Sequence, residues 1–256
     1  MAGENNICQR LVRKGALTSD TYALFSIWND DLSFEENLRL GLSGMFQTAS
    51  WEKEVHATIR RRFRGKEDTQ QLIILAKGGL PFDEWCSCLL LWISIHEELY
   101  LSFAVDWLFP EFLDGRFVIR GDDVSPFVLE NWSLLNPRVK VLSDYGIKRT
   151  ALDLVRMATD LGVLTGTRSK RNFATFHLSD RCFIYWAERI AEYEGSTSKV
   201  TTSPIWRTAL MRPADVEQEL LRLHQFRKLD YQVAGSLVQL TLPCSSSSHY
   251  SEVMMK

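Results

Sequence analysis

Lysine and arginine gather at two places in this 256-residue sequence where they can neutralise phosphate. The first is the compact run Arg60-Arg61-Arg62, continued by Arg64 and Lys66 and ended by Glu67 and Asp68. The second comprises Lys148, Arg149 and Arg156, followed by a tip at Arg168, Lys170 and Arg171. Such clusters suit a nucleic-acid backbone, where each phosphate contact releases counterions and makes affinity fall with salt. The plainer reading of either run is a basic face that stays in water. Three cations at a hairpin tip beside a basic helix favour binding for the second cluster. For residues 60–66 the two readings stand close to even.

Enzyme and metal chemistry have weaker footing. His96-Glu97-Glu98-Leu99-Tyr100 opens like H-E-x-x-H but places Tyr100 where the second ligand must stand, so a polar break in a core helix is the better reading. Gly65-Lys66 matches the end of a phosphate loop, yet Arg60 replaces its first glycine and Glu67 its Ser or Thr. No G-x-S-x-G occurs. Acidic pairs such as Asp30-Asp31 and Asp122-Asp123 read as loop residues or caps. The five cysteines, Cys8, Cys86, Cys88, Cys182 and Cys244, are odd in number and scattered, and Cys86-Ser87-Cys88 is too close for a C-x2-C loop. They read as reduced thiols of a cytosolic protein. No catalytic residue, metal or cofactor is expected.

The elements that must carry these residues are mostly helices. Ser19 to Asn29 reads as one helix; Ser33 followed by Glu36 is a capping box for the next. Trp51 to Phe63 carries Val55 and Ile59 inward and ends on the basic run, where cations suit the helix dipole. Gln70 to Ala76 is apolar, and Gly78-Gly79-Leu80-Pro81 breaks it. Asp83 to Phe109 reads as one long buried helix stopped at Pro110; its central His96, Glu97 and Glu98 argue against a membrane span. Residues 121–137, punctuated by Gly121, Pro126 and Pro137, read as a domain junction. Beyond Ser143, the spacing of Ala151, Leu154, Val155 and Ala158 gives an amphipathic helix with Lys148, Arg149 and Arg156 on its other faces. Gly162 then leads into a hairpin whose return strand carries Phe173, Phe176 and Leu178. A further helix spans roughly Arg181 to Tyr193. Residues 195–203 form a Ser/Thr-rich loop, and Ser245 begins a polar, poorly ordered tail.

Charge is uneven along this frame although the net is −2. Residues 81–130 carry a local balance of −8 and residues 138–171 one of +5. The near-neutral total excludes a polycation; what counts is distribution.

The closing run is the most specific. Pro204-Ile205-Trp206-Arg207 precedes Pro213-Ala214-Asp215-Val216-Glu217, with Pro213 suited to a first helical position. Leu223-His224, then Ala234-Gly235-Ser236-Leu237-Val238 and Leu240-Thr241-Leu242-Pro243 complete a helix and hairpin. With Lys14-Gly15-Ala16-Leu17, Trp28 and the 60–63 run, this ordered set resembles the BrxA family of the bacteriophage-exclusion (BREX) defence systems. The usual second glycine of that opening motif is here Ala16. The resemblance implies a non-catalytic protein that binds double-stranded DNA and acts with other BREX proteins.

The sequence therefore leads to a mainly α fold, with a helical N-terminal domain at 1–136, a winged-helix-like C-terminal region of helix and hairpin units at 137–243, and a flexible tail at 244–256. Its expected partner is duplex DNA, bound through the backbone with little base specificity. The rivals are a protein-interaction scaffold using the acidic 81–130 surface, and an RNA-binding or transcriptional role.

Overall fold

The computed structural model describes residues 9–135, 141–167, 170–235 and 237–256. It is mainly α-helical, with two small antiparallel hairpins among these residues. Helices α1 (Gln9–Arg13), α2 (Thr18–Ser26), α3 (Phe34–Gly41), α4 (Ala49–Phe63) and α5 (Thr69–Lys77) form the first part. The Ser33 capping box is present: Glu36 N–H donates to Ser33 Oγ at 3.3 Å and Ser33 N–H to Glu36 Oε2 at 2.9 Å.

The expected single helix from Asp83 to Phe109 is instead bent. Helix α6 (Phe82–His96) ends at Glu97, and α7 (Glu98–Ser102), a π-helical turn (Phe103–Leu108) and α8 (Phe109–Leu113) follow after a bend of 105°. The break is at Glu97, whose backbone leaves the helical region (φ −120°, ψ 87°) while its buried carboxylate accepts from Arg62. Pro110 does not stop the helix: it lies just after the π-helical turn, and the helical run continues from Glu98 to Leu113. No single described helix is long and apolar enough to cross a membrane.

The expected junction at 121–137 is a helix, α9 (Gly121–Leu135). Val124, Phe127, Val128 and Trp132 supply the helical spacing and are buried, and this face outweighs the one hydrogen bond that Pro126 forgoes. The domain boundary placed at 136–137 lies outside the described residues. Helix α10 (Asp144–Asp160) follows, capped by Ser143 Oγ on Gly146 N–H at 3.2 Å, and packs against α9. Strands β1 (Leu164–Gly166) and β2 (Arg171–Phe173) form the first hairpin in the register Leu164 to Phe173. After Ala174 the chain leaves the ladder, so Phe176 and Leu178 are not strand residues; Leu178 drops into the core.

Helix α11 (Asp180–Glu194), two 3-10 turns (Thr197–Thr202 and Pro204–Ala209), α12 (Pro213–Gln225), the hairpin of β3 (Asp230–Ala234) and β4 (Leu237–Thr241), and α13 (Ser247–Val253) complete the chain. The Trp206 ring stacks on Phe183 and Trp186, with centroids 4.7 and 5.6 Å apart, and its indole N–H donates to Val200 O at 2.7 Å. Ile205 and Trp206 of the 204–207 motif are therefore core, while Pro204 and Arg207 are exposed. Buried apolar side chains form one contiguous cluster from Val12 to Tyr250.

Residues 247–253 correct the expectation of a flexible tail. Ser247, Tyr250 and Ser251 are buried, and α13 packs on α5 and α11. Ser247 donates through N–H and Oγ–H to Glu192, both at 2.7 Å, and Cys244 N–H donates to Glu188 Oε1 at 3.0 Å. Burial raises the Glu188 carboxyl to about 7, against the Cys244 N–H that favours its anion, with repulsion from Glu192 added. The folded chain thus holds this proton more tightly than the unfolded chain. Its contribution is complete below the unfolded value of 4.5 and is lost as pH rises through about 7. Glu188→Gln, which keeps the acceptor for Cys244, is expected to stabilise the protein by about 2 kcal/mol at pH 8 and hardly at all at pH 4.5. Urea unfolding at the two pH values measures this.

Candidate nucleic-acid interface

Ile147, Ala151, Leu154, Val155 and Ala158 turn one face of α10 into the core. The opposite face shows Tyr145, Lys148, Arg149, Leu152 and Arg156 to solvent, a stripe at helical spacing. Two carboxylates steady it. Arg149 Nε donates to Asp153 Oδ2 at 3.0 Å, and Arg156 Nε lies 3.7 Å from Asp160 Oδ2. Burial raises the pKa of both acids, opposed by Arg149 at Asp153, and by the Ala16 N–H and then Arg156 at Asp160.

Helix α4 runs beside this stripe and shows Lys53, Ala57 and Arg61 one turn apart. The end of α1 adds Arg13 and Lys14. Together α1, α4 and the start of α10 enclose a cleft of about 620 Å³ in which five cations, Arg13, Lys14, Lys53, Arg61 and Arg149, meet one carboxylate, Glu54. Lys14 Nζ pairs with Glu54 at 3.2 Å, whereas Arg13, Lys53 and Arg61 have no ion pair among the described residues. Tyr145, 72% exposed, stands at its edge. A second hollow continues from Arg149 past Leu152 and Arg156 to Gly166 and Arg171 of the hairpin.

Arg62 holds this arrangement from below. It is 0% exposed and is therefore no phosphate ligand, contrary to the sequence reading. Its Nε donates to Glu97 Oε1 at 2.6 Å, Nη1 to Ala16 O at 2.7 Å, and Nη2 to Leu11 O and Gly15 O at 3.2 and 3.1 Å. One guanidinium thus ties the turn bearing Arg13 and Lys14 to α4 and to the bend at Glu97. The opening motif is explained by the same turn. Gly15 has φ +73°, and a Cβ there would lie 2.3 Å from Asp160 Oδ2. Ala16 lies outside the left-handed region, so alanine serves in place of a second glycine. Gly15→Ala is expected to cost roughly 1–3 kcal/mol, read from thermal unfolding.

The other candidates divide. Arg60 and Arg64 both close on Glu35, Arg60 at 2.5 Å and Arg64 at 3.2 Å. Lys66 is half-buried with its ammonium 4.6 Å above the Trp92 ring, and burial lowers its pKa. Arg171 is buried beside β1 and pairs through its backbone with Ile119, so it too is withdrawn from the surface. Lys148 and Lys170 are exposed. Arg168 lies outside the described residues. The structure thus joins Arg61 to Arg149, and adds Arg13, Lys14, Lys53 and Tyr145. The Lys53–Ala57–Arg61 spacing on α4 was the signal for one of these.

Among the described residues no group of three or more His, Cys, Asp or Glu side chains is arranged to hold a metal ion. His96 Nε2 lies 2.6 Å from Asp68 Oδ2, and Tyr100 is buried in the core.

A comparison with curated proteins finds no match. The BrxA family model matches residues 9–189, which take in α1, the cleft, the first hairpin and most of α11, and end before the run at 204–243. The chain belongs to the BrxA family and is a protein of the BREX phage-defence systems.

Proposed function

We propose that this chain is a non-enzymatic, double-stranded-DNA-binding accessory protein of its BREX system, located in the cytoplasm. The observation that carries this is the convergence of two basic segments, 60–66 and 148–171, on one cleft through Arg61 and Arg149. The exposed stripe of α10 presents further cations in a row, and Lys170 extends it at the hairpin, which supports a winged-helix-like use of this face. Such groups bind phosphates and carry little sequence information. Two unrelated duplexes are expected to bind with similar affinity in fluorescence anisotropy. The log-log salt slope should be about −0.9 per phosphate contact, and a single-stranded RNA competitor should be weaker. Binding that ignores salt, or RNA that displaces the duplex, overturns the reading.

A second role rests on Phe117, 80% exposed and lying in the sequence between the exposed Asp114 and Asp122, with Leu113 and Leu129 also exposed in the 81–130 segment. This surface supports docking to another BREX protein. Phe117→Ala would weaken such docking while leaving duplex affinity unchanged.

A further inference from the structure

The cleft between α1, α4 and α10 is concave, whereas a duplex backbone is a convex ridge. Five cations approach it from three elements against one carboxylate, and that carboxylate is already held by Lys14. Lys53 and Arg61 therefore add their charge without an ion pair among the described residues, and Arg13 faces only Asp153, a carboxylate that Arg149 already holds. Crowded like charges oppose folding, and the arrangement is relieved by a compact anion of several charges seated among them. The middle of a duplex spreads its phosphates evenly, one charge per about 1.7 Å of axis, so it can engage exposed cations such as Arg61, Arg149 and Lys148 along the rim but cannot fill the interior.

The walls are fixed. Arg62 clamps the carbonyls of the turn behind Arg13 and Lys14, and Thr58 at the cleft is buried with its hydroxyl donating to Glu54 O at 2.8 Å. Tyr145 offers an exposed aromatic face at the edge, suited to stacking a base.

We infer that this cleft is a binding site for a clustered phosphate group: that of a nucleoside polyphosphate, or that of the phosphorylated end of a DNA strand. Arg13, Lys53 and Arg61 receive the phosphates, with the Asp153-held Arg149 beside them, and Tyr145 receives the base. The strand-end source rests on the duplex-binding reading above; the free-ligand source does not.

The test uses the full chain, with inorganic tripolyphosphate and ATP as probes in titration calorimetry. Three labelled duplexes are compared alongside: one with 5′-phosphates, one with 5′-hydroxyls, and a closed circle. One tripolyphosphate per chain is expected to bind, with at least tenfold weaker binding in Arg13→Glu and Lys53→Glu and an intermediate loss in Lys53→Gln. Tyr145→Ala should weaken ATP but leave tripolyphosphate within twofold. Lys170→Glu should weaken the duplexes and leave tripolyphosphate within twofold.

If ATP binds but 5′-phosphate and 5′-hydroxyl ends are equivalent, the free nucleotide is the source. If 5′-phosphate ends bind at least fivefold more tightly and tripolyphosphate displaces them, the strand end is the source. If tripolyphosphate does not bind and the three duplexes are equivalent, the inference is overturned while duplex binding stands. If no duplex binds but tripolyphosphate does, the proposed DNA function falls and the cleft assignment survives.

Discussion

Arg61→Glu combined with Lys148→Glu is expected to weaken duplex binding at least about tenfold at moderate salt and to make the log-log salt slope shallower by about 2. The two side chains lie on opposite sides of the interface, on α4 and α10, and each is exposed without an ion pair among the described residues. Charge reversal there leaves no buried acid behind, so the loss reads on binding and not on folding. Arg149 and Arg156 are poorer choices. Replacing either strands Asp153 or Asp160, whose carboxyls are already pushed up by burial. Arg60→Glu with Arg64→Glu is the matched control, because both residues are engaged with Glu35. A salt series in anisotropy on wild type and both pairs decides it. Equal slopes in all three would remove the interface assigned here.

Arg62→Ala should produce the largest loss of stability, about 3–5 kcal/mol, equivalent to a fall in Tm of roughly 10 °C. The substitution leaves Glu97 buried without its hydrogen-bonding partner, facing only the half-buried Lys66, and strips donors from Leu11, Gly15 and Ala16. Arg62→Lys is not a conservative change, since a single ammonium cannot reach a carboxylate and three carbonyls in fixed directions. The double replacement Arg62→Met with Glu97→Leu removes both charges and should recover part of the loss. The recovery stops short of wild type because the three carbonyls remain without donors. Urea unfolding of the four proteins separates the pair from the carbonyl clamp. A loss below 1 kcal/mol for Arg62→Ala would mean that the turn at 11–16 is held by other contacts.

These two predictions show which parts of the molecule were legible in the chain. Amphipathic spacing reveals α4, α10 and α11, because one buried face dictates each of them, while the Ser33 capping box marks α3 and Pro213 the start of α12. The bend at Glu97 was marked by the break His96-Glu97-Glu98, but its partner Arg62 is 35 residues away and local pattern cannot supply it. Arg62 itself looked like its neighbours Arg60 and Arg61. Only the direction of α4 separates the arginine that faces the core from those that face water. Pro126 conceals α9, because a proline marks a break in sequence whereas the buried Val124–Phe127–Val128–Trp132 face carries the helix past it. Polar composition concealed α13, whose serines are buried by hydrogen bonding to Glu192 and not by apolarity. The cleft is a tertiary product of α1, α4 and α10. The closing run at 204–243 suggested the family through core residues such as Trp206, while the family match itself lies at 9–189.

The docking of α13 on α5 has a consequence for biosynthesis. About 170 residues separate Lys77 from Ser247, and the ribosome needs roughly 10–30 s to add them. During that interval the face of α5 that α13 will cover must wait, while the surrounding helices are already able to pack. Nascent chains stalled before residue 247 should therefore be nearly assembled but adhesive, and their completion should appear as a late gain in protease resistance.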